Sequence, residues 1–243
     1  MIMKRISAII ALVTIPLLTE AQDLGLSFSY FIPKNGYFST PISPFSIRGL
    51  GFDITRHFAL EAGASLYRMN GLNVKDLPFE SKDPMVGPNF TVFVPVELVF
   101  QLKGSQVEFD IKGGVFGFYG FSQKLNYGNI DRAIRRYQGW EVANSSFHHK
   151  NKPGWGYHAG VELTFYLNQQ FGVSVETNYL VGESSLPLTG SYVGAGPGPI
   201  QTIEAGPAFQ DAKIDFTGLE FSIGLIFSSG RGAPPKRQGS RRR

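Results

Sequence analysis

Trp155 to Gly182 reads WGYHAGVELTFYLNQQFGVSVETNYLVG, and the alternation in that stretch decides the fold. Tyr157, Ala159, Val161, Leu163, Phe165 and Leu167 fall on one side of an extended chain, and His158, Gly160, Glu162, Thr164 and Tyr166 fall on the other. After Asn168, Gln169 and Gln170 the pattern resumes, with Phe171, Val173, Val175 and Tyr179 opposing Gly172, Ser174, Glu176 and Asn178. Period two is the geometry of a strand whose faces meet different surroundings. Two such runs joined by a few polar residues read as a hairpin.

Working outward, eight segments carry strand signals, at about 24–32, 47–55, 58–68, 89–102, 107–121, 155–167, 171–182 and 216–227. Each has the β-branched and aromatic content that strands favour. In the third, Phe58, Leu60, Ala62, Ala64 and Leu66 oppose Glu61, Gly63, Ser65 and Tyr67. In the eighth, Leu219, Phe221, Ile223, Leu225 and Phe227 oppose Gly218, Glu220, Ser222, Gly224 and Ile226.

The carboxylates say which face points outward. Glu61, Glu97, Glu108, Asp110, Glu162, Glu176 and Glu220 lie on the polar faces. Facing lipid, a charge is costly, whereas inside a closed barrel it can pair. The expected interior network adds Lys112 and His158 to these seven. A soluble ligand-binding barrel would place the apolar stripe inside instead. The uniform Phe- and Leu-rich stripe opposite small and acidic residues favours a membrane barrel.

The connections alternate in length. Residues 55–57, 103–106 and 168–170 are tight turns, while the other four connections hold about 14, 20, 33 and 33 residues. Short periplasmic turns and long external loops mark outer-membrane barrels. The first connection is long, so both ends of the barrel chain are expected on the periplasmic side. Tyr30, Phe58, Tyr67, Phe90, Phe100, Phe121, Trp155, Phe171 and Phe216 lie near strand ends and are expected in the aromatic girdles.

Residues 1–21 read as a signal peptide: Lys4 and Arg5, an apolar run from Ile6 to Leu18, then Thr19, Glu20 and Ala21, with cleavage expected after Ala21. That run is too short to span a bilayer as a helix. The chain has no cysteine, which excludes a disulfide scaffold. Its 29 glycines and 21 phenylalanines suit strands with a narrow interior and an apolar exterior. The net charge of +4 is unevenly spread: Gln22 to Gly230 carries 15 basic and 18 acidic residues. The excess sits in Arg231, Lys236, Arg237, Arg241, Arg242 and Arg243. Residues 228–243 are therefore expected to be a disordered basic periplasmic tail after a barrel spanning 22–227. The fold expectation is all-β, an eight-stranded antiparallel transmembrane barrel.

The terminal strand from Gly218 to Phe227, with its Phe at the end, resembles the insertion signal read by the barrel-assembly machinery, although sixteen residues follow it here. From Gln22 to Phe227 the chain resembles the small eight-stranded outer-membrane barrels of the porin-like and OmpA-like class, and within it the Bacteroidetes type. The resemblance implies an outer-membrane location and insertion by the assembly machinery. It also admits accessory components of secretion or membrane-assembly complexes, PorT-like or PorG-like.

No motif supplies chemistry. Lipid A deacylases of the PagL type carry His-x-Ser, and none of His57, His148, His149 or His158 has Ser two places on. Adjacent His148 and His149 point oppositely on a strand and make a poor metal site. The glycine- and proline-rich run from Gly194 to Pro199 lacks the Lys-Ser/Thr pair of a phosphate loop and reads as an exposed irregular loop. In the loop 122–154, a short amphipathic helix at 130–138 would present Arg132, Arg135, Arg136 and Tyr137, with Trp140 beyond it. Such residues suit protein interfaces and lipid phosphates. The expectation is a barrel without enzymatic activity, cofactor or bound metal. It would be a structural or accessory subunit of an envelope complex, contacting outer-membrane lipid and envelope proteins but no nucleic acid. The alternatives are a small porin and a lipid-modifying barrel enzyme.

Overall fold

A computed structural model gives the fold and describes residues 24–40, 46–81 and 83–228. The expected signal segment 1–21 and the basic residues from Arg231 to Arg243 lie outside the described residues. In chain order the elements are β1 (Leu24–Pro33), β2 (Gly36–Thr40), β3 (Ser46–Asp53), β4 (Phe58–Leu72), β5 (Val74–Lys75), β6 (Asn89–Lys103) and β7 (Val107–Phe121). There follow α1 (Tyr127–Gln138), β8 (Val142–His149), β9 (Gly154–Tyr166), β10 (Phe171–Ser185), β11 (Leu188–Ala195), β12 (Gln201–Glu204), β13 (Lys213–Asp215) and β14 (Gly218–Phe227).

Among the described residues eight strands close into a ring: β1, β3, β4, β6, β7, β9, β10 and β14. Every neighbour is antiparallel. The ring shuts where β14 pairs with β1, from Leu24 opposite Phe227 to Pro33 opposite Gly218, and with β10, from Phe171 opposite Phe227 to Leu180 opposite Gly218. Closure leaves no unpaired edge, the condition for strands to cross lipid. No described helix is long and apolar enough to cross a membrane.

The three tight turns are held by their own side chains and backbone. The Thr55 hydroxyl accepts from the amides of His57 (3.3 Å) and Phe58 (3.1 Å), and Asn168 Oδ1 accepts from Gln170 (2.8 Å) and Phe171 (2.9 Å). These are the local bonds that let Thr and Asn stand in for backbone in a turn. The middle turn closes by Gly104 donating to the Val107 carbonyl at 2.8 Å.

The parity of the strands is as expected. Phe28, Val94, Leu98, Ile111, Val115, Val175, Phe221, Ile223 and Leu225 stand exposed around the outside. Ser29, Glu97, Lys112, His158, Glu176 and Glu220 are buried inside. An apolar exterior round a polar interior is the pattern of a barrel solvated by lipid.

The long connections are not irregular. The connection 183–215 contains β11, β12 and β13, and β11 lies between β12 and β8 in a separate three-stranded sheet; of the run expected as an exposed irregular loop, Gly194 and Ala195 end β11 and 196–199 lie between strands. The helix extends to Tyr127–Gln138, capped by Asn126, whose side chain accepts from the Asn129 amide, and ended by Gly139 at φ +67°. A positive φ there is the left-handed stop that glycine permits. The apolar core follows from this: it runs from the half of the lumen away from the tight turns (Phe31, Phe93, Phe116, Phe216) into the cap formed by these connections (Phe79, Ile130, Ile134, Phe147, Tyr192, Phe209).

Candidate functional site

The lumen has two storeys. The storey nearer the tight turns is polar and organised round two cations. Lys112 of β7 reaches Glu61 of β4 at 3.8 Å, Glu176 of β10 at 3.6 Å, and bonds Glu162 of β9 directly. Arg48 of β3 reaches Glu220 of β14 at 2.7 Å and Glu97 of β6 at 3.5 Å. Tyr67 donates to Glu220, while Asn178 donates to Glu220 (2.8 Å) and Glu176 (2.9 Å). Register explains the need for these hubs. Glu61 stands directly opposite Glu97, and Glu162 opposite Glu176, so each pair of like charges must find a cation from a third strand. Tyr166 donates to Glu108 at 3.0 Å nearer the rim.

Every residue expected in the interior network is therefore on the inner face, and the structure joins Glu61, Glu97, Lys112, Glu162, Glu176 and Glu220 into one connected set through Arg48 and Asn178. Asp110 and His158 line the same space, buried, and both ring nitrogens of His158 lack a hydrogen-bond partner among the described residues. Arg48 was missed by sequence reading, although its parity with Ser46 places it inside.

The storey away from the tight turns is an aromatic stopper. Phe216 stacks on Phe31 (centroids 4.6 Å apart, 9° between planes) and on Phe118 (4.5 Å, 26°), with Phe93 and Phe116 packed alongside at 6.1 and 5.9 Å. Glycines make the room: a Cβ at Gly182 would lie 2.7 Å from the Phe116 ring. Phe216 belongs to no strand. It sits between β13 and β14, its amide donating to the Gly182 carbonyl at 2.9 Å. Two girdle assignments are thus corrected. Phe216 and Tyr67 face the lumen, Tyr67 with the inward parity of Glu61 and Ser65, whereas Tyr30, Phe58, Phe121, Trp155 and Phe171 are exposed outside.

The cap separates the residues expected to act together. Arg132 is held by Asp83 at 3.0 Å. Tyr137 packs on Phe79 (5.8 Å) yet stays exposed, and Trp140 packs on Tyr192 (5.9 Å). Arg135 and Arg136 are exposed, without an ion-pair partner among the described residues. His148 and His149 alternate along β8, remote in role from His158 inside the ring. Beside the helix, a cleft of about 950 Å³ is lined by Asn35, Asn73, Lys75, Glu80 and Arg136, among others.

The fold and the lumen define an eight-stranded membrane β-barrel. No protein-family model matches the chain, and no curated protein does. Among solved structures it is similar to the outer membrane protein OprG from Pseudomonas aeruginosa, at 10% identity and a TM-score of 0.49, covering 86% of this chain and 95% of that one. It is similar also to Ail, the attachment invasion locus protein of Yersinia pestis (10%, TM-score 0.37, 86% and 96% covered). A major outer membrane protein from Thermus thermophilus gives 9%, a TM-score of 0.44, and coverage of 86% and 100%. The narrower Bacteroidetes resemblance finds no support in these three.

Proposed function

We propose that this barrel is a non-enzymatic outer-membrane anchor that displays its folded cap as a structural or accessory subunit of an envelope protein complex, in secretion or outer-membrane assembly. The tight-turn end then faces the periplasm. The observation that carries the reading is the continuity of the core. The same apolar cluster that stops the lumen at Phe31 and Phe216 extends to Ile134, Phe147 and Phe209 beneath α1 and β8. A channel needs a clear lumen, whereas a platform needs a rigid root, and the stopper supplies the root. The small-porin alternative draws on the excess of carboxylates over cations below the stopper, which would select cations if the stopper moved.

Two measurements test this. The full-length protein, reconstituted in planar bilayers, is expected to show no steady conductance. Pulled from outer membranes in mild detergent, it is expected to bring down a defined complex in fixed proportion, lost on the triple change Arg135→Ser, Arg136→Ser and Tyr137→Ser. Steady cation-selective conductance, with nothing copurifying, overturns the reading in favour of the porin.

A further inference from the structure

The outer rim of β4, β6, β7 and β9 differs from the rest of the barrel. Register sets Arg68 beside Phe90, and Phe90 beside Phe121, in one outward row. The two phenylalanine rings stack at 5.5 Å and 14°. Lys124 follows, its carbonyl held by the Gly87 amide at 2.9 Å. Lys150 and Lys152 flank Asn151, whose side chain donates at 3.1 Å to the carbonyl of Gly120, the residue before Phe121. All four basic residues are exposed and none has an ion-pair partner among the described residues. The rim segments 66–74, 84–96, 118–130 and 147–161 contain no Asp or Glu. On the opposite side, by contrast, Lys75 and Lys213 are taken up by Glu183 and Asp76.

Directly beneath the row lies a hollow in the apolar belt. Gly113 and Gly117 point outward on β7, and a Cβ at either would meet nothing closer than 3.8 Å. Gly117 pairs with Val94 on one side and with Trp155 on the other, and Trp155 is 71% exposed. Positive charge above interfacial aromatics above a hydrocarbon groove matches, from top to bottom, the phosphate, headgroup and acyl chain of an anionic lipid. β4, which carries Arg68, and β9, which begins just after Lys152, are three strand spacings apart, roughly 15 Å. One phosphate cannot serve both ends.

We propose that this quarter of the rim is a seat for an anionic lipid carrying two phosphates, its headgroup spread over the Phe90–Phe121 stack and an acyl chain lying over Gly117. The seat is independent of what the cap binds.

The test uses the full-length protein in phosphatidylcholine nanodiscs doped with a bisphosphorylated glycolipid, its dephosphorylated form, or phosphatidylglycerol. Lipid retained after gentle extraction is read by native mass spectrometry. The bisphosphorylated lipid should be retained more than roughly tenfold over the other two, given the attraction of several basic residues. The set R68Q, K124Q, K150Q and K152Q should abolish the preference, while K34Q with R56Q should keep it. Equal retention of the three lipids by the unaltered protein overturns the proposal, as does equal loss in both variant sets. If the fourfold variant fails the heat-modifiability test for a folded barrel, the comparison of the three lipids on the unaltered protein decides alone.

Discussion

Arg48 Nη2 lies 2.7 Å from Glu220 Oε1, joining strands that are not neighbours: β3 and β14 are separated in the ring by β1. The pair is a strut across the closing seam. Both side chains are buried, Glu220 completely, and the guanidinium also sits 5.7 Å above the Phe93 ring. Removing one partner strands the other charge in a closed lumen, which costs about 3–5 kcal/mol. Arg48→Met and Glu220→Gln are each expected to lose that order of stability in urea unfolding from vesicles. The double variant should lose clearly less than the sum, and strict additivity would show that the two do not act as a pair.

Phe216 is expected to matter as a packing element though it sits in no strand. Phe216→Ala removes a ring stacked on both Phe31 and Phe118 and should cost about 3–5 kcal/mol, as large core truncations do. Gly182→Val presses on the same stopper from the other side, through a Cβ 2.7 Å from Phe116, and should cost about 1–3 kcal/mol. In both variants, bilayer recordings should show brief openings that the unaltered protein lacks. A silent Phe216→Ala barrel of normal stability would mean that the stopper does not seal the lumen.

The outer face should be intolerant of charge in proportion to depth. Ile223, 61% exposed midway along the outward row of β14, faces hydrocarbon. Ile223→Arg is expected to cost about 2–4 kcal/mol, and Leu219→Arg, nearer the end of the row, less. Equal costs at the two positions would contradict the lipid-facing assignment.

Above the apolar belt, a clasp of exposed charges ties β5, β13 and β10. Hydrogen bonds from Lys75 and then Lys213 hold the Glu183 carboxyl below the ordinary carboxylate range, and hydrogen bonds to Glu183 and Asp76 raise Lys213. A carboxyl with a lowered folded pKa stabilises above its unfolded value, about 4.3, and loses that contribution as pH falls through the folded value. A raised lysine stabilises below about 10.4 and loses its contribution as pH rises through its folded value. The protection of the 213–215 amides, their exchange corrected for its intrinsic pH dependence, should therefore be greatest between these limits and fall in acid, and Glu183→Gln should remove the acid limb.

The barrel was legible because period two persists through β4, β9, β10 and β14, and because the tight turns advertise themselves by Thr55 and Asn168. Arg48 escaped because Gly49, at φ +72°, sits in the register shift between Ile47 and Leu50, which breaks the alternation of β3 just after it. Phe216 escaped because a phenylalanine just before a strand reads the same whether it belts the membrane or folds into the lumen; only the β10–β13 pairing turns it inward. The cap strands are hidden in the sequence because the glycine- and proline-rich run begins at Gly194, within the last two residues of β11. Of these strands, β11 pairs with β8, from Leu188 opposite His149 to Ala195 opposite Val142, and no local pattern carries that distance.

The seam between β1 and β14 makes the first and last strands of the barrel each other's partners. A ring has no partial version: until the final strand arrives, β1 and β10 would each expose a row of amides and carbonyls that lipid cannot satisfy. Membrane residence is thus conditional on an intact β14. Loss of that strand is expected to leave material that never enters the bilayer, instead of a weakened barrel, so that the architecture itself admits complete chains and turns away broken ones.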